Sequence, residues 1–432
     1  MKRAIFTAMM LAFCGAAFAQ EAPDQPNGGG GPAVNASVFY SDHIRAVTAV
    51  TEVFGRGQKT TAAIVEYNQP IKDSSLDRES FAVSGRSITN VYANDQAAKA
   101  ATGRDGRFVV IELDPADEGA FTYTSQVDEA ATTLVTQSST VESASGEELQ
   151  PTGTPVINTR QKNLIVDDFR LLRFTDPETG LSLAYNLYVP KEYDPGEKYP
   201  LVLFMHDAGV TGTNPLRTLE QGLGAVSFAS PGDQARHPSF VLAPQYPVAL
   251  ANDESQTSVY ADITVRLIEE LASTYSIDAN RLYTTGQSGG CMTSIALNIK
   301  YPDLFAASFL VAGQWDPTVV APLADKKLWV IVSQDDNKAY PGMNAIMETL
   351  EANGAEITRD VWNGRADEAE FRDDVAAMLE AGPDSNVYYV SFEKGSVFPE
   401  GEAAGGGGGH TGTWPIAYAI DGVRDWLFRQ SK

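Results

Sequence analysis

Two domains are predicted, a small β-sandwich followed by a larger layered domain in which helices cover both faces of a mostly parallel sheet. Three observations predict them. The chain has 432 residues, more than a single hydrophobic core usually organises. Before residue 160 short β-like runs recur with no strong amphipathic helix among them, as in a sandwich. Beyond it, short apolar strands alternate with helical stretches, the pattern of a parallel sheet with crossover helices.

The N-terminus opens on Lys2 and Arg3, runs apolar from Ala4 to Phe13, and reaches Ala17-Phe18-Ala19. That order of basic, apolar and small residues predicts a cleaved signal peptide over 1–19, too short for a membrane span. Bulky Phe13 before Cys14 argues against a lipid-attachment site there. Export to the periplasm or the extracellular space is therefore expected. Residues 20–32 are rich in glycine and proline and read as a flexible tether. Beyond the signal, no apolar run is long enough to span a bilayer, so no stable membrane insertion is expected. Fifty-six acidic residues against 32 basic ones give a formal charge of −24, which disfavours nucleic acid as a partner. Only Cys291 remains after the signal, so the exported chain must stand without an internal disulfide.

In the first domain, set at 33–155, strands are expected at Val47–Phe54, Thr61–Tyr67, Ser87–Tyr92, Phe108–Leu113 and Ala120–Thr124. Residues 125–155 are expected to hold one last strand and a linker. In the second, set at 160–432, Arg170–Thr175 and Leu181–Val189 flank a turn and read as a hairpin. Strands follow at Leu201–Met205, Phe240–Ala243, Arg281–Thr285, Ala306–Val311, Leu328–Val332, Glu356–Trp362 and Val387–Phe392. Helices are expected at Ser258–Thr274, Met292–Lys300, Met343–Ala352, Glu368–Glu380 and Ile416–Phe428.

The chemistry concentrates at strand ends. Gly286-Gln-Ser-Gly-Gly290 directly follows a strand and opens a helix, the context a G-x-S-x-G nucleophile turn requires. With 37 glycines in the chain the bare pattern is a weak sign, so its partners decide. A serine hydroxyl needs a base to remove its proton, and there are only four histidines to supply one. His43 falls in the first domain, His237 reads as a loop residue, and His206 ends a strand. His410, in a loop before the last helix, satisfies the order nucleophile, acid, histidine. For the acid, Asp335 and Asp336 leave the strand Leu328–Val332. Adjacent residues there point in different directions, and Ser333 three places earlier favours Asp336. The oxyanion donors are expected to be the backbone N–H of Gly289 and that of Asp207 or Ala208 in His206-Asp-Ala-Gly209. The Gln287 side chain is taken as incidental. Gly405–Gly409 reads as a flexible segment, either one that orders on substrate binding or a tolerated surface insertion, and Trp315 and residues 363–386 as candidates to border a pocket. No metal or organic cofactor is called for.

Several longer motifs carry a family resemblance. FAVSGRSITNVYAND (81–95) and GRDGRFVVIELDPAD (103–117) lie in the first domain. LVLFMHDAG (201–209), FVLAPQYP (240–247), RLYTTGQSGG (281–290), KAYPGMNAIME (338–348) and HTGTWPIAYAIDGVRDWLF (410–428) lie in the second. With these the chain resembles secreted bacterial esterases of the α/β-hydrolase superfamily that carry an Ig-like N-terminal domain. More distantly it is similar to feruloyl esterases and polyhydroxybutyrate depolymerases. The resemblance implies an α/β-hydrolase behind an Ig-like β-sandwich, with Ser288 as nucleophile, His410 as base and Asp336 as acid. It also implies small or polymeric carboxylic esters as substrates. The usual H-G-x-G loop stands here as H-D-A-G, so the Asp207 carboxylate must point away from the oxyanion. Rival readings are a serine peptidase on the same triad and a non-catalytic polymer-binding protein.

Overall fold

The computed structural model describes residues 42–399, 401 and 407–432. The expected signal peptide and tether lie outside the described residues. In the front region Ile44–Phe54 and Gly57–Ile71 form a long antiparallel hairpin, which Gly106–Leu113 and then Ile88–Asn94 extend. A second, three-stranded sheet is built from Val156–Ile157, Leu134–Gln137 and Phe81–Val83. Alternate residues of the first sheet, among them Val47, Val65, Val109 and Ile111, meet Phe81, Val83, Val135 and Val156 of the second in one core. These alternate residues make the inner face of the expected sandwich, while the intervening Val50, Ala62, Ile64, Tyr92 and Val110 are buried in a second cluster on the other face of the first sheet.

Residues 125–155 differ from the expected strand and linker. Besides Leu134–Gln137 they hold a short hairpin, Val141–Glu142 with Glu148–Leu149. Arg160–Asn163, assigned in advance to the second domain, runs parallel to Ile44–Phe54 and is hydrogen-bonded into the front sheet, with Thr48 opposite Arg160. Its residues are Arg-Gln-Lys-Asn, mostly exposed, so no alternation marks them. Only a free sheet edge makes them a strand.

The second region is one nine-stranded sheet. We number its strands β1 (Arg170–Thr175), β2 (Ser182–Tyr188), β3 (Tyr199–Met205), β4 (Phe240–Gln245), β5 (Ile277–Gln287), β6 (Ala307–Val311), β7 (Leu328–Ser333), β8 (Ile357–Trp362) and β9 (Val387–Phe392). Their order is β1-β2-β4-β3-β5-β6-β7-β9-β8, antiparallel around β2 and parallel elsewhere. Successive residues of β3 serve opposite faces. Val202 and Phe204 pack with Phe228, Tyr418 and Trp426, whereas Leu201 and Leu203 pack with Ile263 and Leu267 of the helix Tyr260–Thr274. Both faces of the sheet are thus covered by helices, which is why the central strands read as unbroken apolar runs. This is the α/β-hydrolase architecture, preceded by the smaller antiparallel β region. Among the described residues no helix is long and apolar enough to cross a membrane.

The C-terminal end corrects one expectation. Instead of a single helix over 416–428 there are two, Gly408–Ala417 and Asp421–Phe428, and His410 lies inside the first turn of the earlier one. Gly-Gly-His-Thr-Gly-Thr is a poor helix former by intrinsic propensity. Close packing holds it instead. A Cβ on Gly409 would sit 2.4 Å from the Asp335 carbonyl oxygen, and one on Gly412 would sit 2.8 Å from that of Val397. Of the segment expected to be flexible, residues 405 and 406 lie outside the described residues, while Gly408 and Gly409 are helical.

Candidate active site

Strand β5 ends at Gln287 and the helix Gly289–Lys300 starts two residues later, so Ser288 is the whole turn. Its φ is +52°, a region that costs a side-chain-bearing residue about 1–3 kcal/mol and persists only when its surroundings impose it. The neighbouring glycines impose it. A Cβ on Gly290 would lie 1.9 Å from the Met205 carbonyl oxygen, and one on Gly286 would lie 2.7 Å from the same atom. The helix start can therefore close against the end of β3 only with glycine there. Ser288 N–H donates to the Val311 carbonyl at 3.1 Å, and the Ser288 carbonyl accepts from Met292 N–H at 2.9 Å.

Ser288 Oγ lies 2.9 Å from His410 Nε2, and His410 Nδ1 lies 2.5 Å from Asp336 Oδ2. The other carboxylate oxygen of Asp336 accepts from Lys338 N–H at 3.0 Å and Ala339 N–H at 2.8 Å. Burial pushes the Asp336 carboxyl up, but the hydrogen bond and charge of His410, with these two N–H donors, outweigh it and hold it below its usual value. An ionised acceptor at Nδ1 assigns the ring proton to that nitrogen and leaves the Nε2 lone pair facing the hydroxyl. The indole of Trp414 meets the imidazole edge-on, 5.2 Å between centroids. Asp335 turns elsewhere, its carboxylate accepting from Gly395 N–H at 2.5 Å. Of the two adjacent acids, only Asp336 reaches His410.

The expected oxyanion segment closes on the same point. Ala208 is the first residue of a single 3₁₀ turn, Ala208–Val210, and Gly289 is the first residue of its helix. N–H groups in first helical turns have no intrahelical acceptor, and among the described residues neither of these two has another. A Cβ on Gly289 would be 3.8 Å from Ala208 N, so the two segments that carry the donors are neighbours. The Asp207 carboxylate caps the turn, Oδ1 accepting from Gly209 N–H at 2.7 Å. His206 is buried, and burial lowers its pKa. Its Nε2 accepts from Tyr246 N–H at 3.0 Å, and Nδ1 donates to the Asp207 carbonyl at 2.7 Å, so it is a neutral loop-ordering group.

Gln287 departs from expectation. Its side chain is buried, and Nε2 donates to Asp207 Oδ2 and to Gln221 Oε1, each at 3.1 Å. Gln287 and Gln221 were invisible in the sequence as site residues. The available sign was indirect, because an aspartate in the oxyanion loop needs a donor to hold its charge aside. His237 bonds to Asp425 at 2.7 Å and stacks on Phe428, and His43 stacks on Tyr67 in the front region. Trp315 is packed in a core with Cys291 and Met343, and Phe371, Val375 and Met378 of the 363–386 segment are packed in another with Trp426. These four side chains are core residues.

The front region touches the catalytic region at two points. A Cβ on Gly55, at the tip of the long hairpin, would be 2.2 Å from Pro415 Cβ in the helix that carries His410. The Arg217 guanidinium lies 4.2 Å from the centre of the Tyr123 ring and pairs with both Asp128 and Glu220.

Comparison with known proteins agrees with this fold. Residues 46–150 match the family described as the esterase Ig-like N-terminal domain, and residues 177–395 match the Esterase family. A thermostable esterase of known structure is 29% identical with a TM-score of 0.77, over 90% of this chain and 100% of that one. Feruloyl esterase B from Talaromyces funiculosus is 27% identical over 144 residues, which is 31% of this chain. That match spans 36% of the curated relative's length. The Esterase match spans the segment from β2 through β9 and ends before His410, and the assignment of Ser288, Asp336 and His410 rests on the two hydrogen bonds above. Since that match takes in more than half of the residues, the chain belongs to the Esterase family.

Proposed function

We propose that this protein is a serine carboxylesterase that works through an acyl-enzyme at Ser288. The observation that carries the proposal is the continuous relay from Ser288 through His410 to Asp336, at 2.9 and 2.5 Å. His410 Nε2 takes the hydroxyl proton as Ser288 Oγ attacks the ester carbonyl carbon. Asp336 keeps the ring oriented and stabilises it once it is charged. The N–H groups of Gly289 and Ala208 receive the negative oxygen of the tetrahedral intermediate. As that intermediate collapses, His410 returns the proton to the leaving alcohol, and a water molecule repeats the sequence to free the acid.

The partial similarity to a feruloyl esterase supports including feruloyl esters among the substrates, beside simple alkyl esters. The basic, apolar and small order of residues 1–19 supports export as the site of action. An ester panel graded by acyl length, with a feruloyl ester and a peptide library, tests the reading. Ester turnover that falls by about 10⁶ in kcat in Ser288→Ala, with no peptide cleavage by the wild type, is expected. Ester turnover that survives in Ser288→Ala overturns it.

A further inference from the structure

We infer that Gln287 is a positioning residue for the oxyanion loop, acting through Asp207. The inference rests on the proposed role of Ser288 and deepens it. Two facts create the need. First, Asp207 stands where a glycine is usual in such loops, so a carboxylate lies beside the segment that carries Ala208 N–H. A negative charge turned toward the reacting carbonyl would oppose the charge developing on its oxygen. Second, a one-turn 3₁₀ segment has little rigidity of its own, since it fixes several dihedrals for few hydrogen bonds.

The side chain next to the nucleophile answers both needs. Asp207 Oδ1 is occupied by Gly209 N–H at 2.7 Å, which closes the turn from within. Asp207 Oδ2 is occupied by Gln287 Nε2 at 3.1 Å, which ties the turn to the nucleophile strand β5 from outside. Gln287 is itself oriented from its far side. The same Nε2 donates to Gln221 Oε1 at 3.1 Å, while Gln221 Nε2 donates to the Thr218 carbonyl at 3.2 Å. The Gln221 amide orientation follows, because only its oxygen is left to face Gln287. Asp207 and Gln287 are both buried, 8% and 4% exposed, so water does not substitute freely for a lost partner. Residues 80 apart in sequence are thereby locked together, and the Ala208 donor is set against Ser288.

Four variants test this: Gln287→Leu, Gln287→Glu, Asp207→Asn and the pair Gln287→Glu with Asp207→Asn. The readouts are kcat and KM on a p-nitrophenyl ester, the inhibition constant of a trifluoromethyl ketone that forms an oxyanion adduct, and the melting temperature. Gln287→Leu is expected to lower kcat by about 10- to 100-fold with KM within about twofold, as for loss of a transition-state interaction. It should weaken the ketone by a similar factor. Gln287→Glu should fall further, because two carboxylates then face each other. Adding Asp207→Asn restores a donor opposite the introduced carboxylate and should recover about tenfold or more in kcat over Gln287→Glu alone.

A Gln287→Leu enzyme with wild-type kcat overturns the inference. So does a kcat loss with unchanged ketone affinity, or a paired variant no better than Gln287→Glu. If Gln287→Leu fails to fold, the comparison of the two Gln287→Glu enzymes at matched melting temperature decides alone. Ser288→Ala run in parallel separates the two levels. Turnover that persists there removes the proposed function itself, whereas a dead Ser288→Ala beside fully active Gln287 variants removes only the positioning role.

Discussion

Asp336 and Asp207 are both buried aspartates of one site, 4% and 8% exposed, yet their partners differ in kind. Asp336 offers one oxygen to an imidazole and the other to two backbone N–H groups. Asp207 offers its oxygens to a backbone N–H and a side-chain amide, both neutral. The difference teaches what sets the role of a buried carboxylate. Beside a group that takes up a proton during reaction, its charge stabilises the transition state. Beside the oxygen that becomes negative, the same charge must be held aside by donors that never change.

The sharpest way to break this comparison is to neutralise each acid in turn. Asp336→Asn should lower kcat by about 10⁴, since an amide does not hold the reactive tautomer. Asp207→Asn retains an oxygen for Gly209 N–H but offers Gln287 Nε2 no acceptor, so it should cost about 10- to 100-fold in kcat on the same ester, as Gln287→Leu does. Equal losses from the two would erase the distinction.

A second prediction sharpens the acid side through packing. Gly409→Ala places a methyl 2.4 Å from the Asp335 carbonyl oxygen, whereas a Cβ on Gly407 meets no atom within 4 Å. Gly409→Ala should therefore displace His410 and lower kcat by about 100-fold, a loss that misplacement by about 1 Å can produce. Gly407→Ala should turn over like the wild type. Kinetics of the pair check whether the glycine run is there for approach or merely for freedom.

The third concerns pH and stability. The folded-state value of Asp336 is depressed, so its contribution is present above about pH 4, the ordinary unfolded-state value, and is lost as pH falls through the folded-state value. Denaturant midpoints measured from pH 6 down to pH 3 should fall more steeply for wild type than for Asp336→Asn. Parallel curves would mean that the acid is not held ionised by its partners. The smallest effect is expected far from both acids. Arg372 and Glu368 form an exposed helical pair, so Arg372→Ala should change stability by only about 0.3–0.5 kcal/mol and leave turnover untouched.

How much of this was legible in the sequence depends on how local each feature is. The central strands are short apolar runs buried on both faces, and their positions follow from composition alone. Ser288 was legible because strand, turn and helix are contiguous and the flanking glycines have a local steric purpose. The choice of Asp336 over Asp335 was legible from the residue that precedes the strand exit. The strand Arg160–Asn163 was not, because a polar edge segment carries no periodic signal. The helix around His410 was not, because its glycines are helical only through contact with Asp335 and Val397.

The sequence by itself determined the order of the elements, the nucleophile turn, and the three residue types needed for proton transfer, because those depend on spacing along the chain and on steric limits within a few residues. The tertiary structure alone decided where the Asp207 charge points and that Gln287 holds it. It also decided that the front hairpin abuts the histidine helix at Gly55 and Pro415. The reason is physical. A side-chain hydrogen bond between residues 80 apart exists only once β3 and β5 lie side by side, and no pattern within either segment encodes the direction in which a carboxylate finally turns.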